Sequence, residues 1–154
     1  MDCTKLSCRK TKEILENNSI ATLQVVTTSN EPYVVPVIYA YYNDCDESEF
    51  YVPIDTNNNT LICAINNNNN VALTVSECRS CNSRIYGRQV TCSYVTVYGN
   101  ADIIIDCPDS SAILNFIRSY SSENERYLDR YFCNNNIALI RICPKRIVGQ
   151  KIVF

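Results

Sequence analysis

Cys78-Arg79-Ser80-Cys81 has the spacing used by redox dithiols and by zinc half-sites, and no second pair in the chain repeats it. A closed zinc site needs two more ligands. The chain has no histidine, so a metal would have to recruit isolated cysteines. A redox dithiol belongs at a helix N-terminus in a thioredoxin-like βαβ setting. The residues around this pair read as a polar loop instead, so the spacing alone carries no function. General acid/base chemistry has as little to rest on, because histidine is absent and no carboxylates pair at a fixed spacing.

The second unusual position is Pro36, in the middle of Tyr33-Val34-Val35-Pro36-Val37-Ile38-Tyr39. A proline there leaves one ladder position without an N–H. That suits an edge strand, a bulge, or a place where backbone polar groups face a ligand.

The elements that position these residues start with 20–27 and 33–42, which are rich in β-branched and aromatic residues. Ser29-Asn30-Glu31-Pro32 supplies turn chemistry between them, which predicts a long β-hairpin. Before it, residues 6–17 carry a loose helical pattern closed by Asn17-Asn18. After it come an acidic loop at 43–49, a third strand at 50–54, a short helix from Thr60 to Ile65, and a fourth strand at 71–76. Residues 77–89 read as a polar loop holding Arg79, Arg84 and Arg88. A long strand at 90–105 follows, with a bend expected at Gly99. Pro108-Asp109-Ser110 signals a helix carrying Ala112, Ile113, Phe116 and Ile117 on one face, and a further helix is expected at 123–132. Two strands, 137–143 and 147–154, close the chain around Pro144-Lys145-Arg146.

Six or more strands joined by hairpins or short helices predict a mainly β (α+β) fold, an antiparallel barrel with peripheral helices, since closure removes most sheet edges. A doubly wound parallel fold needs helices alternating regularly with strands, and two strand pairs lack them. The 154 residues fit one domain, 1–154; a chain of about 150 residues buries roughly two-thirds of its unfolded surface. The net charge of −2, without a basic run, leaves no footprint for nucleic acid or an anionic membrane. No apolar run approaches the ~20 residues of a membrane span, and the N-terminus lacks a signal-peptide core, so a cytoplasmic protein is expected. In that setting the ten cysteines, among them Cys63, Cys92 and Cys143, read as reduced thiols, several of them small core residues. The asparagine runs at 57–59, 66–70 and 134–136 sit between apolar segments and are assigned no function.

The order of segments carries a resemblance. A-T-L-x-V, then E-P-Y-V-V-P-V-x-Y-A-Y at 31–41, F-Y-V-P, a short helix, V-A-L-T-V, V-x-V-Y-G-x-A-D and a terminal I-V-G-Q-K follow one another over nearly the whole chain. This resembles the pyridoxamine 5'-phosphate oxidase-like flavin-binding split barrels, and within them the branch of the nitroimidazole-resistance proteins. The resemblance implies a homodimer with FMN in clefts between subunits. It implies that the backbone of Val34, Val35, Pro36 and Val37 lies along the isoalloxazine, and that Tyr51, Val52, Pro53, Ile54, Asn59 and Thr60 contact the ribityl chain and phosphate. Tyr94, with Tyr51 and Tyr98, is placed at the rim of the cleft, where an interface role outweighs a catalytic one. A reduced nicotinamide as donor and a small aromatic acceptor are the implied partners, and no metal is implied.

The chain departs from the branch in its charges. Thr60-Leu61 stands where a lysine pair usually opens the short helix, and Asn70 stands where an arginine often precedes the fourth strand. Arg84 or Arg88 is the available compensation. The histidine that many of those proteins carry after the third strand aligns near Pro53. Two classes of function follow: an FMN-dependent oxidoreductase, or a non-catalytic split barrel that binds another flat ligand such as haem or only dimerises.

Overall fold

The computed structural model describes residues 2–44, 47–83, 87–104 and 137–154. The helices expected at 108–117 and 123–132, Arg84, and the asparagine run at 134–136 lie outside the described residues. No helix among the described residues is long and apolar enough to cross a membrane.

The elements in order are β1 (Asp2–Lys5), α1 (Cys8–Asn17), β2 (Ile20–Val26), β3 (Pro32–Ile38), β4 (Ala40–Asp44), β5 (Glu47–Asp55), α2 (Asn59–Asn67), β6 (Asn70–Ser83), β7 (Gly87–Ile104) and β8 (Ile137–Val153). β1 was not expected. Its four residues are all exposed, so no apolar alternation marks it, and it is held by antiparallel pairing with the end of β8. α1 begins two residues later than the pattern predicts, because Leu6 donates its N–H to Gly149 O at 2.9 Å and Ser7 is the N-cap.

The β2–β3 hairpin is present, paired from Ile20↔Ile38 to Val26↔Pro32. Its turn is closed by Thr27 N–H to Glu31 O at 2.9 Å, with Asn30 at φ +64°, a conformation asparagine tolerates better than most residues. Pro32 belongs to the strand rather than the turn. The expected single strand at 33–42 is broken at Tyr39 into β3, which pairs with β2, and β4, which pairs with β5.

That break closes the barrel. The strand order is β3-β2-β6-β7-β8-β5-β4, so β3 and β4 stand at opposite ends of the sheet although one residue separates them in sequence. In a flat sheet those ends would lie six spacings apart, about 29 Å, far beyond the reach of a single residue. The sheet therefore curls until its two ends meet at Tyr39. All the ladders among the described residues are antiparallel, as expected. Inside, Leu23, Phe50, Val52, Leu73, Val75, Val95, Val97, Ile140 and Ile142 form one buried cluster with Ile14 and Leu15 of α1 and Leu61, Ala64 and Ile65 of α2.

Three segments read as loops or breaks are strand. Residues 43–49 are largely the β4–β5 hairpin, with Asn43↔Ser48 and Asp44↔Glu47 in register. The two closing strands are one, β8, which pairs with β5 and β7 along its first half and with β7 and β1 along its last. The polar stretch 77–89 continues the β6–β7 ladder out to Ser83↔Gly87. Its residues Cys78 to Asn82 are exposed, and a strand wetted on both faces loses the alternation that marks one in sequence.

The bend at Gly99 stands where expected. The β7–β8 register shifts between Tyr98↔Arg146 and Gly99↔Pro144, which leaves Lys145 as the extra residue of a bulge. A Cβ at Gly99 would run into the Cys143 carbonyl oxygen and lie 3.1 Å from Pro144 Cα, backbone that cannot yield.

The expectation of reduced thiols is corrected at one pair. Cys78 is joined to Cys92, its direct opposite in the β6–β7 ladder, with the two Cα atoms 4.1 Å apart. The C-x-x-C pair is thus split, since consecutive ladder register and not local spacing brings the sulfurs together. Cys3, Cys8, Cys63 and Cys81 are free and exposed, and Cys143 is half-buried, so none of the described cysteines is a core residue. A cross-link closing a loop of this size stabilises by about 2–3 kcal/mol. Cys92→Ser should therefore melt about 5–10 °C below the parent protein. Dithiothreitol should bring the parent down to meet the variant and leave the variant unmoved; a parent insensitive to reductant contradicts the bridge.

Candidate functional site at the barrel seam

Among the described residues β3 has a ladder on one side only. It pairs with β2, and its other edge faces β5 without hydrogen-bonded pairing, so a seam runs between β3 and β5. Pro36, which has no N–H to offer, fits such an edge. Along β3 the side chains alternate: Tyr33, Val35 and Val37 pack toward the core, while Pro32, Val34 and Pro36 face outward. Val34 is 56% exposed, a large value for a valine in mid-strand.

The outward face continues across the sheet by register. Val34 lies opposite Gln24, Pro36 opposite Thr22 and Ile38 opposite Ile20, which is 63% exposed. Thr22 leads to Thr74 and then Thr96, whose hydroxyls lie 3.2 Å apart, and Tyr98 stands beyond them with the Arg146 guanidinium 4.4 Å above its ring. This is an apolar and hydroxylated face on β2, β3, β6 and β7. Ile20, Thr22, Thr74 and Thr96 were not singled out from sequence, because only the assembled register shows that they share the face of Val34 and Pro36.

On the far side of the seam, β5 turns Phe50, Val52 and Ile54 into the core, with Val52 fully buried. Of the expected contacts, then, Val52 and Ile54 have only backbone to offer a ligand. Tyr51 and Pro53 point the other way. The Tyr51 hydroxyl donates to the Glu49 carboxylate, and burial, then that bond and the Glu49 charge, hold the phenol well above the ordinary tyrosine range. It remains a proton donor at any physiological pH. Arg141, opposite Tyr51 in the ladder, donates to Asp102 at 3.2 Å, and that bond raises its guanidinium further.

Asp55, Thr56, Asn57 and the N-cap Asn58 lead into α2, whose first residues Asn59 and Thr60 are exposed. The amide groups there are largely spent. Asn58 Oδ1 accepts Leu61 N–H at 3.2 Å, Asn59 N–H is donated to Asn57 O at 2.8 Å, and the Asp55 carboxylate accepts Asn57 N–H at 2.8 Å. Asparagine is a strong N-cap, which is why the sequence starts a helix there.

Ala40 pairs with Tyr51, and β4 continues the path of β3 through Tyr39, so the last residues of β3 run toward Pro53 and Ile54. The register brings Val34, Val35, Pro36 and Val37 of β3 and Val52, Pro53 and Ile54 of β5 to the two sides of the seam, with Tyr51 where the β4 ladder ends; α2, which carries Asn59 and Thr60, packs against β2 and β7. Tyr94 sits on β7, three strands from β3, on the outward side it shares with Thr96 and Tyr98, and its hydroxyl donates to Gln150 at 2.7 Å.

Two open clefts of about 500 and 520 Å³ lie elsewhere. The first, between the β4–β5 hairpin and the β8 bulge, mixes Glu47 and Glu49 with Lys145 and Arg146; the second is walled by asparagines 66–69 and Asp102. Neither is the apolar slot that a flat ring requires. The outward face of β3 is apolar, but in one chain it is a face and not a cavity. Among the described residues no three His, Cys, Asp or Glu side chains gather as for a metal ion.

No protein-family model and no curated protein matches the chain by sequence. Solved structures do match by shape. A candidate 5-nitroimidazole antibiotic resistance protein from Bacteroides thetaiotaomicron superposes with a TM-score of 0.77 at 15% identity, over 99% of this chain and 90% of that one. The chain has the split-barrel fold. An FAD-binding protein from Mesorhizobium loti matches the split barrel with a TM-score of 0.70 at 21% identity, covering 99% of both chains. The haem-storage protein HutZ from Vibrio cholerae matches with a TM-score of 0.59 at 13% identity, over 96% of this chain and 92% of that one. Identities this low carry the architecture of the split barrel and not its ligand.

Proposed function

We propose that this split barrel binds a flavin, FMN in the first instance, as a pair of identical subunits, and serves as an FMN-dependent reductase of a small acceptor with a reduced nicotinamide as donor. The observation that carries the reading is the outward strip of β3: Val34 at 56% exposure, beside a proline in mid-strand, on an edge without a ladder. A second copy covering β2, β3, β6 and β7 would turn that face into a slot. The fold likeness to an FAD-binding protein supports the choice of ring. A flavin supplies the redox chemistry when bound, so the chain's task is to place the ring and keep water from it. Val34 and Pro36 offer an apolar floor, the backbone beside Pro36 offers unpaired polar groups at the ring's edge, and the seam sets its orientation.

The residues fit the ring better than the phosphate, and the likeness to a haem-storage protein keeps a second flat ligand in view. Absorption spectroscopy separates the two. Protein purified and then mixed with FMN should show flavin bands with quenched fluorescence, and a mass of two subunits. A protein that ignores FMN but gives a sharp Soret band with haemin overturns the flavin reading in favour of the second.

A further inference from the structure

We infer that the site recognises a flavin through its ring and gives the phosphate tail no separate grip, so that riboflavin, the neutral-tailed form, is as good a ligand as FMN; this rests on the flavin reading above. The charge map is the first ground. From Glu13 to Cys78 the chain contains no lysine and no arginine, and every ionisable charge in that span is a carboxylate. β2, β3, β4, β5 and α2 all fall within it, so neither the strands on the two sides of the seam nor α2 carries a lysine or an arginine.

The second ground is the start of α2. A phosphate seated at a helix N-terminus needs free N–H groups. Here the Asn58 side chain holds the Leu61 N–H, Asn57 O takes that of Asn59, and the first intrahelical bond, Ile62 N–H to Asn58 O at 3.1 Å, is already made. The third is Asp55, whose carboxylate accepts the Asn57 N–H at 2.8 Å and so sits against the same turn. A phosphate ester carries about −1.5 to −2 at pH 7 and would meet that carboxylate rather than a counter-ion. Thr60 contributes a hydroxyl, a neutral donor, where a charge-assisted one is roughly twice as strong.

Titration by flavin fluorescence tests this. Riboflavin and FMN should bind with dissociation constants within about threefold, whereas one charge-assisted bond to the phosphate would separate them by about tenfold or more. Raising salt from 50 to 500 mM should leave the FMN-to-riboflavin affinity ratio level or raise it slightly, because salt screens repulsion. FMN binding ten times more tightly than riboflavin, or a ratio that falls with salt, overturns the inference while leaving the flavin reading intact; binding of neither flavin overturns both. Thr60→Lys should restore selectivity, raising the FMN-to-riboflavin affinity ratio about tenfold. A ratio that Thr60→Lys leaves at unity shows that the tail lies away from α2 and also overturns the inference.

Discussion

Tyr39→Ala is expected to lose about 3–5 kcal/mol of stability, close to the whole margin of many domains, while Tyr39→Phe loses about 1 kcal/mol. Tyr39 is 1% exposed and is the single residue between the two ends of the sheet. Its N–H is held by Ser19 O at 2.9 Å, its hydroxyl by Leu15 O at 2.8 Å, and its ring lies 6.2 Å from that of Phe50. Truncation empties a large volume at the place where α1, β3 and β5 meet. Removing the oxygen alone leaves Leu15 O short of one donor and the packing intact. Urea melts followed by circular dichroism give both values. An alanine variant within 1.5 kcal/mol of the parent would mean that the closure does not depend on this side chain.

The second large effect concerns binding and not folding. Val34→Glu should leave the single chain folded, with a melting temperature within about 2 °C of the parent, since a residue this exposed contributes little to the core. It should lower flavin affinity by at least about a hundredfold and shift the protein from two copies to one. A carboxylate on the outward strip of β3 stands beside strands that carry no lysine or arginine of their own, and taking it out of water against an apolar ring costs several kcal/mol. Val34→Thr, of nearly the same shape, should lose far less than Val34→Glu. If Val34→Glu still binds flavin with the affinity of the parent, the ring is not on β3.

What could be read from sequence was whatever local chemistry settles. The turn between β2 and β3, the proline in β3 and the irregularity at Gly99 each follow from the conformational habits of a few residues and stand where expected, while the short helix expected from Thr60 to Ile65 runs from Asn59 to Asn67. What could not be read depends on partners distant in the chain. The break at Tyr39 arises because residues on either side of it pair with different strands. The Cys78–Cys92 bridge arises from ladder register over a turn. The face on which Val34 and Pro36 join Thr22, Thr74 and Ile20 exists only once β2 stands between β3 and β6. The expected contacts at Val52 and Ile54 narrowed to backbone for a related reason, since periodicity alone does not say which side of β5 meets the core. The absent cations at Thr60, Leu61 and Asn70 were visible from the start; that the helix end is also capped by its own asparagine and shadowed by Asp55 was not.

The claim on which the rest depends is that a planar ring lies against the outward side of β3 between two copies of the chain. A crystal structure grown with riboflavin or FMN tests it most directly. The account predicts ring density in van der Waals contact with Val34 and Pro36, enclosed by β7 of a second subunit. Density for the ring in the cleft between Glu47 and Arg146, or a lone subunit with the β3 face bare at saturating flavin, would contradict it.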